Sequence, residues 1–404
     1  MSALSHALDR LKAGGMIILV DDEDRENEGD LVMAAQFATP ATINFMATYG
    51  RGLICMPLTG QQVDKLGLSA MAPVNLARRS TAFTVSIEAR DGITTGISAH
   101  DRAQTIQVAA NPDVAAGEIV SPGHVFPLRA AAGGVLERNG HTEGSIDLMK
   151  MAGLQPAAVI CEVMRDDGHM ALRPELEVFA EKHDLPILTI KEIVAHRYQS
   201  ETLVEEIANA QLPSAFSALP LKVYAFKSTL DGIEHLAIVK HPLPAIPLVR
   251  VHSECLTGDA LGSLRCDCGP QLHEAMRLVS QSAGGAVVYL RGQEGRGIGL
   301  ANKIRAYALQ DGGKDTVEAN TELGFAADLR DYGTAAQILK ALEIREVDLL
   351  SNNPKKAEAL DACGVRVREL RALVIPSNPF NSRYLDTKRE KLGHRLTRQK
   401  EASS

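Results

Sequence analysis

The chain has 404 residues, a length that predicts two or three domains, and we take two as the working number. Apolar residues make up 45% and charged residues 23%, which is the balance of an ordinary globular protein with a large core. The net charge of -7 argues against a general nucleic-acid binder, because such proteins concentrate Lys and Arg to neutralise phosphates.

Neither an export signal nor a membrane helix is expected. Residues 1–15 lack an apolar core of signal-peptide length, and no apolar run approaches the roughly 20 residues of a membrane span. Cys55, Cys161 and Cys363 have apolar or Gly-flanked neighbours and the other three cysteines cluster, unlike a secreted disulfide framework. We therefore expect a soluble, cytoplasmic protein with reduced thiols.

An acidic run at residues 21–30 joins two apolar segments. Residues 3–12 have helical leucine spacing, and 16–20 (MIILV) and 31–35 (LVMAA) are apolar runs typical of buried strands. An acidic run is usually a solvated face. A dense acidic turn at a strand end is also a place where ligands bind, and its carboxylates can hold Mg²⁺ with retained waters.

The pattern at residues 81–88 alternates, which predicts a strand with Phe83, Val85 and Ile87 on one buried face. Thr94 precedes the next predicted helix, as do Thr95 and Ser98. They form either a phosphate cradle or, as is commoner, helix caps. The other elements predicted in this region are helices at 40–49, 60–66 and 101–109 and a strand at 51–56.

Two histidines and one glutamate are further candidates for chemistry. His124 follows a Pro-Gly turn and His141 follows Gly140, although a lone His is more often structural than a ligand or base. Glu162 lies within a predicted buried strand at 157–164. An isolated buried charge is costly, so Glu162 is expected to be paired, metal-bound or protonated.

Six motifs of the first half resemble 3,4-dihydroxy-2-butanone 4-phosphate synthase, in the family's order. They are D-D-E-D-R-E-N-E-G-D, T-A-F-T-V-S-I-E, G-I-T-T-G-I-S-A-H-D-R-A, P-G-H-V-F-P-L-R, G-H-T-E and V-I-C-E-V-M. The resemblance covers about residues 1–200. It implies a lyase that converts D-ribulose 5-phosphate to 3,4-dihydroxy-2-butanone 4-phosphate and formate, with Mg²⁺ or Mn²⁺ as cofactor.

The same resemblance implies roles for individual residues. Glu26 and His141 would bind the metal ion, and His124 and Glu162 would be essential for catalysis. These types suit proton removal next to a ketone, which needs a base and a cation to stabilise the enediolate. The residues implied to bind the sugar phosphate are Arg25, Glu26, Asp30, Arg138, Asn139, Gly140, His141, Thr142 and Glu162.

The first half departs from the family pattern at two places. Asn75–Arg78 reads Asn-Leu-Ala-Arg where many members have Asn-Thr-Asp-Pro, so the resemblance does not cover the loop before Thr81. Gly144 stands where Ala is common, a change small enough to be neutral.

The two halves are expected to join near residues 200–212, giving domains 1–200 and 201–404. A helix-like stretch at 191–210 gives way to 211–220, where two prolines and small polar residues predict a boundary. Three consecutive strands, the usual start of an antiparallel sheet, are predicted at 221–226, 235–239 and 247–252.

Three cysteines cluster directly after the last of these strands. Cys255, Cys266 and Cys268 form a C-x10-C-x-C set, which a folded-back loop can bring together as a zinc site. A structural zinc normally has four protein ligands, whereas a catalytic zinc keeps a position for water, and no fourth Cys is near. The set therefore favours catalysis over the alternative, a structural zinc knuckle in a nucleic-acid-binding module.

Two turns and a basic tail follow the cysteine loop. After a strand at 285–291, the glycine-rich segment 292–301 is a phosphate cradle or an ordinary turn. Residues 351–356 (S-N-N-P-K-K) predict a turn whose Asn side chains can read a base edge. A solvated helix face and frayed end are the simplest interpretation of Arg383, Lys388, Arg389, Lys391, Arg395 and Arg398.

The second half resembles GTP cyclohydrolase II over nearly all of residues 205–395. The motifs are R-V-H-S-E-C-L-T-G-D, S-L-R-C-D-C-G-P-Q, Q-E-G-R-G-I-G-L, D-L-R-D-Y-G, S-N-N-P-K-K and Y-L-D-T-K-R-E-K-L-G-H. That family hydrolyses GTP to 2,5-diamino-6-(5-phosphoribosylamino)pyrimidin-4-one, formate and pyrophosphate. With both halves in one chain, the sequence resembles the bifunctional enzymes of riboflavin biosynthesis.

By this resemblance the three cysteines would bind one Zn²⁺ per chain, whose water attacks C8 of the guanine, and Mg²⁺ would accompany GTP. Asp328 is implied as proton acceptor and Arg330 as nucleophile on the α-phosphorus. Because guanidinium stays protonated in proteins, Arg330 as a charge stabiliser is an equal alternative. The implied GTP contacts are Arg250, Val251, His252, Ser253, Glu254, Gln271, Glu294, Gly295, Arg296, Thr316, Ser351 and Lys356.

The sequence thus predicts a mixed α/β (α+β) protein of two domains, each a mixed sheet with flanking helices. We expect small-molecule substrates, GTP and D-ribulose 5-phosphate, a homodimer by family resemblance, and no nucleic-acid or membrane partner. A chain in which one half is only a scaffold is a further alternative. It is disfavoured because both halves carry their full motif sets.

Overall fold

The computed structural model describes residues 2–22, 25–77, 79–326 and 328–393. Arg78, Arg395 and Arg398, and the side chain of Arg383, lie outside the described part. The chain divides into two compact units, residues 1–196 and 197–404. In the described part of the chain, no helix is both long and apolar enough to cross a membrane.

Seven strands form one mixed sheet in the first unit. They are β1 (Ile17–Val20), β2 (Gly29–Ala34), β3 (Cys55–Leu58), β4 (Ile87–Ala89), β5 (Ile119–Arg129), β6 (Ala158–Glu162) and β7 (Ile187–Thr189). Their order across the sheet is β4-β5-β3-β6-β2-β1-β7. β1 is antiparallel to β2 and parallel to β7, and β3 is parallel to β5.

Apolar side chains cover both faces of this sheet. Ile18 and Leu31 belong to one core cluster, whereas Ile17 and Val32 belong to the other. This two-sided burial explains why β1 and β2 are continuous apolar runs rather than alternating ones. The helices of the unit are α1 (Ala3–Lys12), α2 (Pro40–Phe45), α3 (Gly60–Lys65), α4 (Ala99–Ala110), α5 (His141–Met151), α6 (Arg173–His183) and α7 (Ile190–Ser200).

The strand predicted at residues 81–88 is wrong over most of its length, because only Ile87–Ala89 belongs to a strand. Thr84 is the buried residue there, and its amide and hydroxyl donate to the Pro127 carbonyl at 3.0 and 3.1 Å. These bonds turn Thr84 inward and leave Phe83 half-buried. The turn predicted before His124 is also wrong, because that residue lies inside β5.

A second mixed sheet of seven strands forms the other unit. The strands are β8 (Val204–Leu212), β9 (Leu221–Ser228), β10 (Glu234–Lys240), β11 (Leu248–Ser253), β12 (Gly285–Leu290), β13 (Glu346–Leu350) and β14 (Arg366–Arg371). The order is β14-β13-β11-β12-β10-β9-β8. β8, β9, β10 and β12 pair antiparallel, and β12, β11, β13 and β14 pair parallel.

The helices of this unit begin with two in the cysteine region. They are α8 (Leu256–Asp259), α9 (Cys268–Gln281), α10 (Glu294–Gly297), α11 (Leu300–Asp311), α12 (Thr316–Glu322), α13 (Gly333–Ala341), α14 (Pro354–Ala362) and α15 (Ser382–Leu392). Mixed sheets with flanking helices in both units confirm the predicted fold class.

Two predictions about the second sheet are wrong. The helix expected over 191–210 ends at Ser200, and Val204–Leu212 forms β8. β8 is an edge strand with mostly exposed residues, so its pairing with β9 outweighs the helical propensity of its polar side chains. The strand at 247–252 is not antiparallel to its predecessor, because β12 inserts between β10 and β11.

This insertion positions the functional loops. β11, β12 and β13 run parallel, so their carboxyl ends meet at one edge of the sheet. The cysteine loop, the glycine-rich turn and the turn at 351–356 follow these three ends in the chain. Ligands of open α/β sheets bind at such an edge.

Candidate active sites

The acidic turn of the first unit and the start of α5 form a candidate metal centre. Asp21 follows β1, Glu26 lies in the turn, and His141 is the first residue of α5. Each residue offers one ligand atom, and the three atoms lie within 4.8 Å of one another. The structure therefore brings together Glu26 and His141, the two predicted metal ligands, and adds Asp21. The position of Asp21 directly after a buried strand was the available signal.

His141, a member of this group, and Asp30 beside it are buried, with relative exposures of 7% and 3%. Burial lowers the pKa of His141, which favours the neutral ring that metals bind. His141 Nε2 and Asp30 Oδ1 have no hydrogen-bond partner among the described residues. Burial, and then the charge of Glu162 opposite in β6, raises the pKa of Asp30 well above its usual range. Two unpaired buried atoms fit a bound cation or substrate.

Two guanidinium groups contact the carboxylates of Asp21 and Glu26, and a third is linked to them through a backbone carbonyl. Arg25 Nη1 donates to Asp21 Oδ2 at 2.7 Å and to Glu26 Oε2 at 2.8 Å. Arg79 Nε lies 3.3 Å from Glu26 Oε1. Arg138 Nη2 donates to the Arg79 carbonyl at 3.2 Å. Arg79, which the sequence reasoning missed, comes from the loop that departs from the family pattern. The basic pair before Ser80 was the signal.

The remaining predicted sugar-phosphate residues lie at the start of α5. Asn139 Nδ2 donates to Asp22 Oδ2 at 3.2 Å, and Thr142 is buried in the first helical turn. Gly140 is the N-cap of α5. A Cβ at Gly140 would lie 2.6 Å from Arg138 Nη1 and 3.1 Å from Arg25 Nη2, so a side chain there would displace the guanidinium groups.

His124 belongs to a second group, formed with Glu88. Glu88 is in β4 and His124 in the neighbouring strand β5, and their side chains form a hydrogen bond between Oε1 and Nδ1. The side chain of His124 is 42% exposed, so a substrate can reach its other nitrogen. Glu162, the other predicted catalytic residue, accepts the Leu53 amide at 2.8 Å. Sequence reasoning missed Glu88, which ends the predicted strand 81–88.

The hydroxyl groups before α4 serve the helix start. Ser98 Oγ accepts the Asp101 amide at 3.0 Å as the N-cap of α4. The Thr94 amide and hydroxyl donate to the Asp101 carboxylate at 3.1 and 2.9 Å. The commoner interpretation, helix capping, is confirmed for Ser98, whereas Thr94 binds the side chain of Asp101 in the first helical turn.

The three cysteines of the second unit form a compact sulfur cluster. The Sγ atoms of Cys255, Cys266 and Cys268 lie within 4.8 Å of one another, and Cys255 and Cys266 are 3.7 Å apart. Two sulfurs bound tetrahedrally to zinc at about 2.3 Å would be roughly 3.8 Å apart. The spacing therefore fits zinc. A Cβ at Gly258 would lie 2.7 Å from Cys266 Sγ, so this position has no room for a side chain.

Lys303 of α11 connects the sulfur cluster to the glycine-rich turn. Its Nζ donates to Cys255 Sγ at 3.1 Å and to Glu294 Oε1 at 2.5 Å. Hydrogen bonds from Cys266 and Cys268, with the charge of Lys303, lower the pKa of Cys255 far below its usual range. The hydrogen bond with Cys255 raises the pKa of the Cys266 thiol to about 11. A ready thiolate is the form that binds zinc.

Asp259 connects the cluster to the strands beneath it. Its carboxylate accepts the Cys255 amide at 3.0 Å and the Tyr289 hydroxyl at 2.8 Å. His252 Nε2 lies 3.1 Å from both Asp259 oxygens. His252 Nδ1 is buried with no hydrogen-bond partner in the part of the chain that the structure describes.

A cavity opens beside the sulfur cluster and contains most of the predicted GTP contacts. Val251 takes part through its carbonyl, which accepts Lys356 Nζ at 2.8 Å. The predicted contacts that line the cavity are Arg250, His252, Ser253, Glu254, Gln271, Glu294, Gly295, Arg296, Thr316, Ser351 and Lys356.

The cavity carries an excess of positive charge, which suits a polyanion. Its carboxylates are Glu254 and Glu294. Burial and then repulsion from Arg250 lower the pKa of Lys356 well below its usual range. A bound anion would oppose both effects by adding negative charge beside the amine. The cationic side chains that line it are Arg250, Arg265, Arg296, Lys303, Arg330, Lys356 and Lys388.

Asp328 and Arg330 form a bidentate ion pair at this cavity. Arg330 Nε and Nη2 donate to the two Asp328 oxygens at 2.8 and 2.5 Å. Burial alone would raise the pKa of Asp328, but the hydrogen bonds and charge of Arg330 outweigh it and lower that pKa. Although burial opposes the charge of Arg330, Asp328 raises the pKa of the guanidinium above its usual range. A guanidinium that stays protonated can stabilise negative charge but is a poor nucleophile.

Two interpretations of side chains in this unit need correction. The amide of Asn352 cannot read a base edge, because it exchanges hydrogen bonds of 2.7 and 2.8 Å with the backbone of Leu373. Lys388 is not on a solvated helix face, because it is 8% exposed and pairs with Asp267 Oδ1 at 2.6 Å. In both cases a partner distant in sequence changes the environment of the residue.

Sequence reasoning missed several side chains that line the cavity. Lys303 and Tyr307 are one turn apart on α11, and Gln310 follows on the same face. This i, i+4, i+7 polar stripe directly after the glycine-rich turn was a usable signal. Tyr384 and Lys388 of α15 line the cavity as well.

Known proteins match this chain along its length. Residues 5–196 match the 3,4-dihydroxy-2-butanone 4-phosphate synthase family, and residues 205–372 match the GTP cyclohydrolase II family. Riboflavin biosynthesis protein RibBA of Aquifex aeolicus is 52% identical over 399 residues, covering 97% of both chains. RibBA of Nocardia farcinica is 51% identical over 397 residues, covering 97% of this chain and 95% of that protein.

One solved structure resembles both units together. RibBX, a two-domain 3,4-dihydroxy-2-butanone 4-phosphate synthase from A. baumannii, has a TM-score of 0.70 and 36% sequence identity. The similarity covers 92% of this chain and 100% of that one. A fold of two such domains is therefore known in a solved relative.

Proposed function

The chain belongs to the RibBA family of bifunctional riboflavin biosynthesis proteins, and we propose that the two groups of residues described above are its two independent active sites. One activity is 3,4-dihydroxy-2-butanone 4-phosphate synthase, a lyase, and the other is GTP cyclohydrolase II, a hydrolase. The observation that carries the proposal is a separate set of metal-ligand atoms in each unit. Neither the nucleic-acid module nor the one-sided scaffold is favoured.

In the first unit, Glu26 and His141 would hold Mg²⁺ or Mn²⁺, with Asp21 beside them. Oxygen and imidazole donors suit both ions. When bound, the ion would supply positive charge to an enediolate formed from D-ribulose 5-phosphate. Arg25 and Arg138, with Asn139 and the first turn of α5, would bind the phosphate and orient the sugar.

Proton transfer in this unit would be carried by two residues. His124 would exchange a proton with the substrate through Nε2, because its Nδ1 is engaged by Glu88. Glu162 would accept or return a second proton, and the Leu53 amide fixes the direction of its carboxylate. Asp30 would lie near the substrate, and burial raises the pKa of its carboxyl group.

In the second unit, Cys255, Cys266 and Cys268 would hold one Zn²⁺. The three sulfurs leave a fourth position, and the ion would supply an activated water directed at C8 of the guanine. The cationic lining would bind the triphosphate and its Mg²⁺. Arg330 would stabilise charge at the α-phosphorus, with Asp328 as proton acceptor. Products would be the diaminopyrimidine, formate and pyrophosphate.

We propose further that the chain works as a cytoplasmic homodimer on these small molecules alone. Family resemblance supports the dimer, as do exposed apolar side chains before Thr81, among them Val74 and Leu76 at 68% and 89% exposed. Light scattering of the purified chain should give twice the chain mass of 43.4 kDa. A monomeric mass would contradict the dimer.

The decisive experiment supplies GTP and D-ribulose 5-phosphate separately, each with Mg²⁺ and Zn²⁺, and measures formate. We expect formate from either substrate alone, with pyrophosphate only from GTP. Formate from a single substrate would contradict two working sites.

A further inference from the structure

The C-terminal helix α15 contributes to the GTP cavity although it lies beyond residues 205–372, the range that matches the cyclohydrolase family. Tyr384 and Lys388, one helical turn apart, line the cavity. Lys388 has a side chain only 10% exposed, whereas Asp386 on the opposite face is 54% exposed. α15 therefore presents one face to the cavity.

A chain of hydrogen bonds leads from α15 through Asp267 of the cysteine loop to two predicted GTP contacts. Lys388 Nζ donates to Asp267 Oδ1 at 2.6 Å, and Asp267 stands between Cys266 and Cys268. Gln271 Nε2 donates to Asp267 Oδ2 at 2.7 Å. Arg250 Nη2 donates to Gln271 Oε1 at 2.7 Å. Each link is a short bond between buried side chains, so displacement of one member displaces the next.

α15 also contacts the start of α12, through Lys391. Lys391 Nζ pairs with Asp315, the N-cap of α12, and lies 3.1 Å from Glu318. α12 begins at Thr316, another predicted GTP contact. The Lys388 ammonium also lies 4.5 Å from the centre of the Tyr384 ring. The helix α15 thus contacts both the cysteine loop and the start of α12.

The buried Asp267 carboxylate depends on Lys388 to compensate its charge. Asp267 is 2% exposed, and the Lys388 ammonium, 2.6 Å away, is paired with its carboxylate. Without Lys388, the buried carboxylate would have to protonate, recruit water or move. Any of these changes the position of Gln271, and through it the guanidinium of Arg250.

We propose that Lys388 is a positioning residue of the GTP reaction. Its ammonium holds the Asp267 carboxylate, and thereby Gln271 and Arg250, in the arrangement that binds the nucleotide. The inference rests on the proposed function of the second unit. Because Lys388 acts through groups that contact bound GTP, its loss affects KM more than kcat.

The test uses the full chain and Lys388→Met, with Lys388→Arg as the conservative variant and Asp386→Asn as the control on the same helix. In Lys388→Met we expect the GTP KM to rise about tenfold, with a smaller fall in kcat. Lys388→Arg should recover most of the loss, and Asp386→Asn should match the unmodified chain. Formate release from ribulose 5-phosphate and zinc content should not change in any variant.

A double variant tests whether Lys388 acts through Asp267. If the link is real, Lys388→Met combined with Asp267→Asn should be no worse than the poorer single variant, whereas multiplying effects would contradict it. Unchanged GTP kinetics in Lys388→Met would overturn the inference alone, as would loss of zinc from that variant. An unmodified chain that does not turn over GTP would instead overturn the proposed function.

Discussion

The two candidate sites offer different donor atoms and are assembled in different ways. In the first unit, oxygen and imidazole donors come from one short acidic turn and the start of one helix. In the second, three cysteine sulfurs come from the segment after a parallel strand, and the lining of the cavity beside them extends from Arg250 to Lys388. The 2.9 Å bond from Arg250 to the Leu350 carbonyl joins two strands whose residues are 100 positions apart in sequence. Because soft sulfur ligands favour Zn²⁺ and oxygen ligands favour Mg²⁺ or Mn²⁺, the two donor sets predict different metals in one chain.

The largest expected effect comes from removing one ligand at a time. His141→Ala should abolish formate release from ribulose 5-phosphate, on the order of a thousandfold, and leave GTP turnover intact. Cys266→Ala should do the reverse. Each variant carries its own control, because the untouched unit reports folding. Loss of both activities in a chain that still folds would contradict independent sites.

Selective metal removal should separate the same two reactions. We expect about one tightly bound zinc per chain. A zinc chelator followed by return of Mg²⁺ alone should leave the GTP reaction absent and restore the lyase reaction. Elemental analysis that finds no zinc in the active protein would refute the assignment of the cysteine cluster.

Replacement of Arg330 tests whether its guanidinium stabilises negative charge in the proposed GTP reaction of the second unit. As a charge stabiliser, its replacement in Arg330→Ala should lower kcat for GTP by about a hundredfold, with partial rescue by added guanidinium ion. Arg291→Ala, at an exposed arginine of the same unit, is the control. A covalent nucleotidyl adduct on Arg330, detected by mass spectrometry in rapidly quenched reactions, would support the nucleophile instead.

Glu88 provides a smaller effect in the carboxylate site. Glu88→Gln keeps the shape but removes the charge that orients His124, so kcat for ribulose 5-phosphate should fall about tenfold. The GTP reaction should be unaffected. Glu181→Gln, at an exposed glutamate of α6, serves as the matched control. Equal lyase rates for the two variants would show that the Glu88–His124 bond is not used.

The smallest effect concerns stability and pH. Asp30 has a folded-state pKa above its unfolded value, so its contribution to stability is present at low pH and is lost as pH rises toward the folded-state pKa. Asp30→Asn removes this titration. Without metal, the melting temperature of the variant relative to the unmodified chain should increase by a few degrees from about pH 5 to pH 8. A constant difference would mean that Asp30 is ionised throughout.

Predictions of single elements succeeded where local pattern and tertiary burial agree. MIILV and LVMAA are apolar throughout because both faces of β1 and β2 are covered. β8 was missed because an edge strand needs no apolar alternation, and its polar residues favour a helix when considered locally. Thr84 turned inward for two hydrogen bonds that no spacing rule contains.

The sequence by itself determined the donor types: three clustered thiols and a carboxylate turn predict the metals, and the motif order predicts the two reactions, because donor type is a property of single residues. Tertiary structure decided which distant groups act on them. Lys388 reaches Asp267 across 121 positions, Lys303 reaches Cys255 across 48, and Glu88 meets His124 across 36. Such partners are chosen by strand order and helix packing, which depend on the whole core rather than on any local pattern.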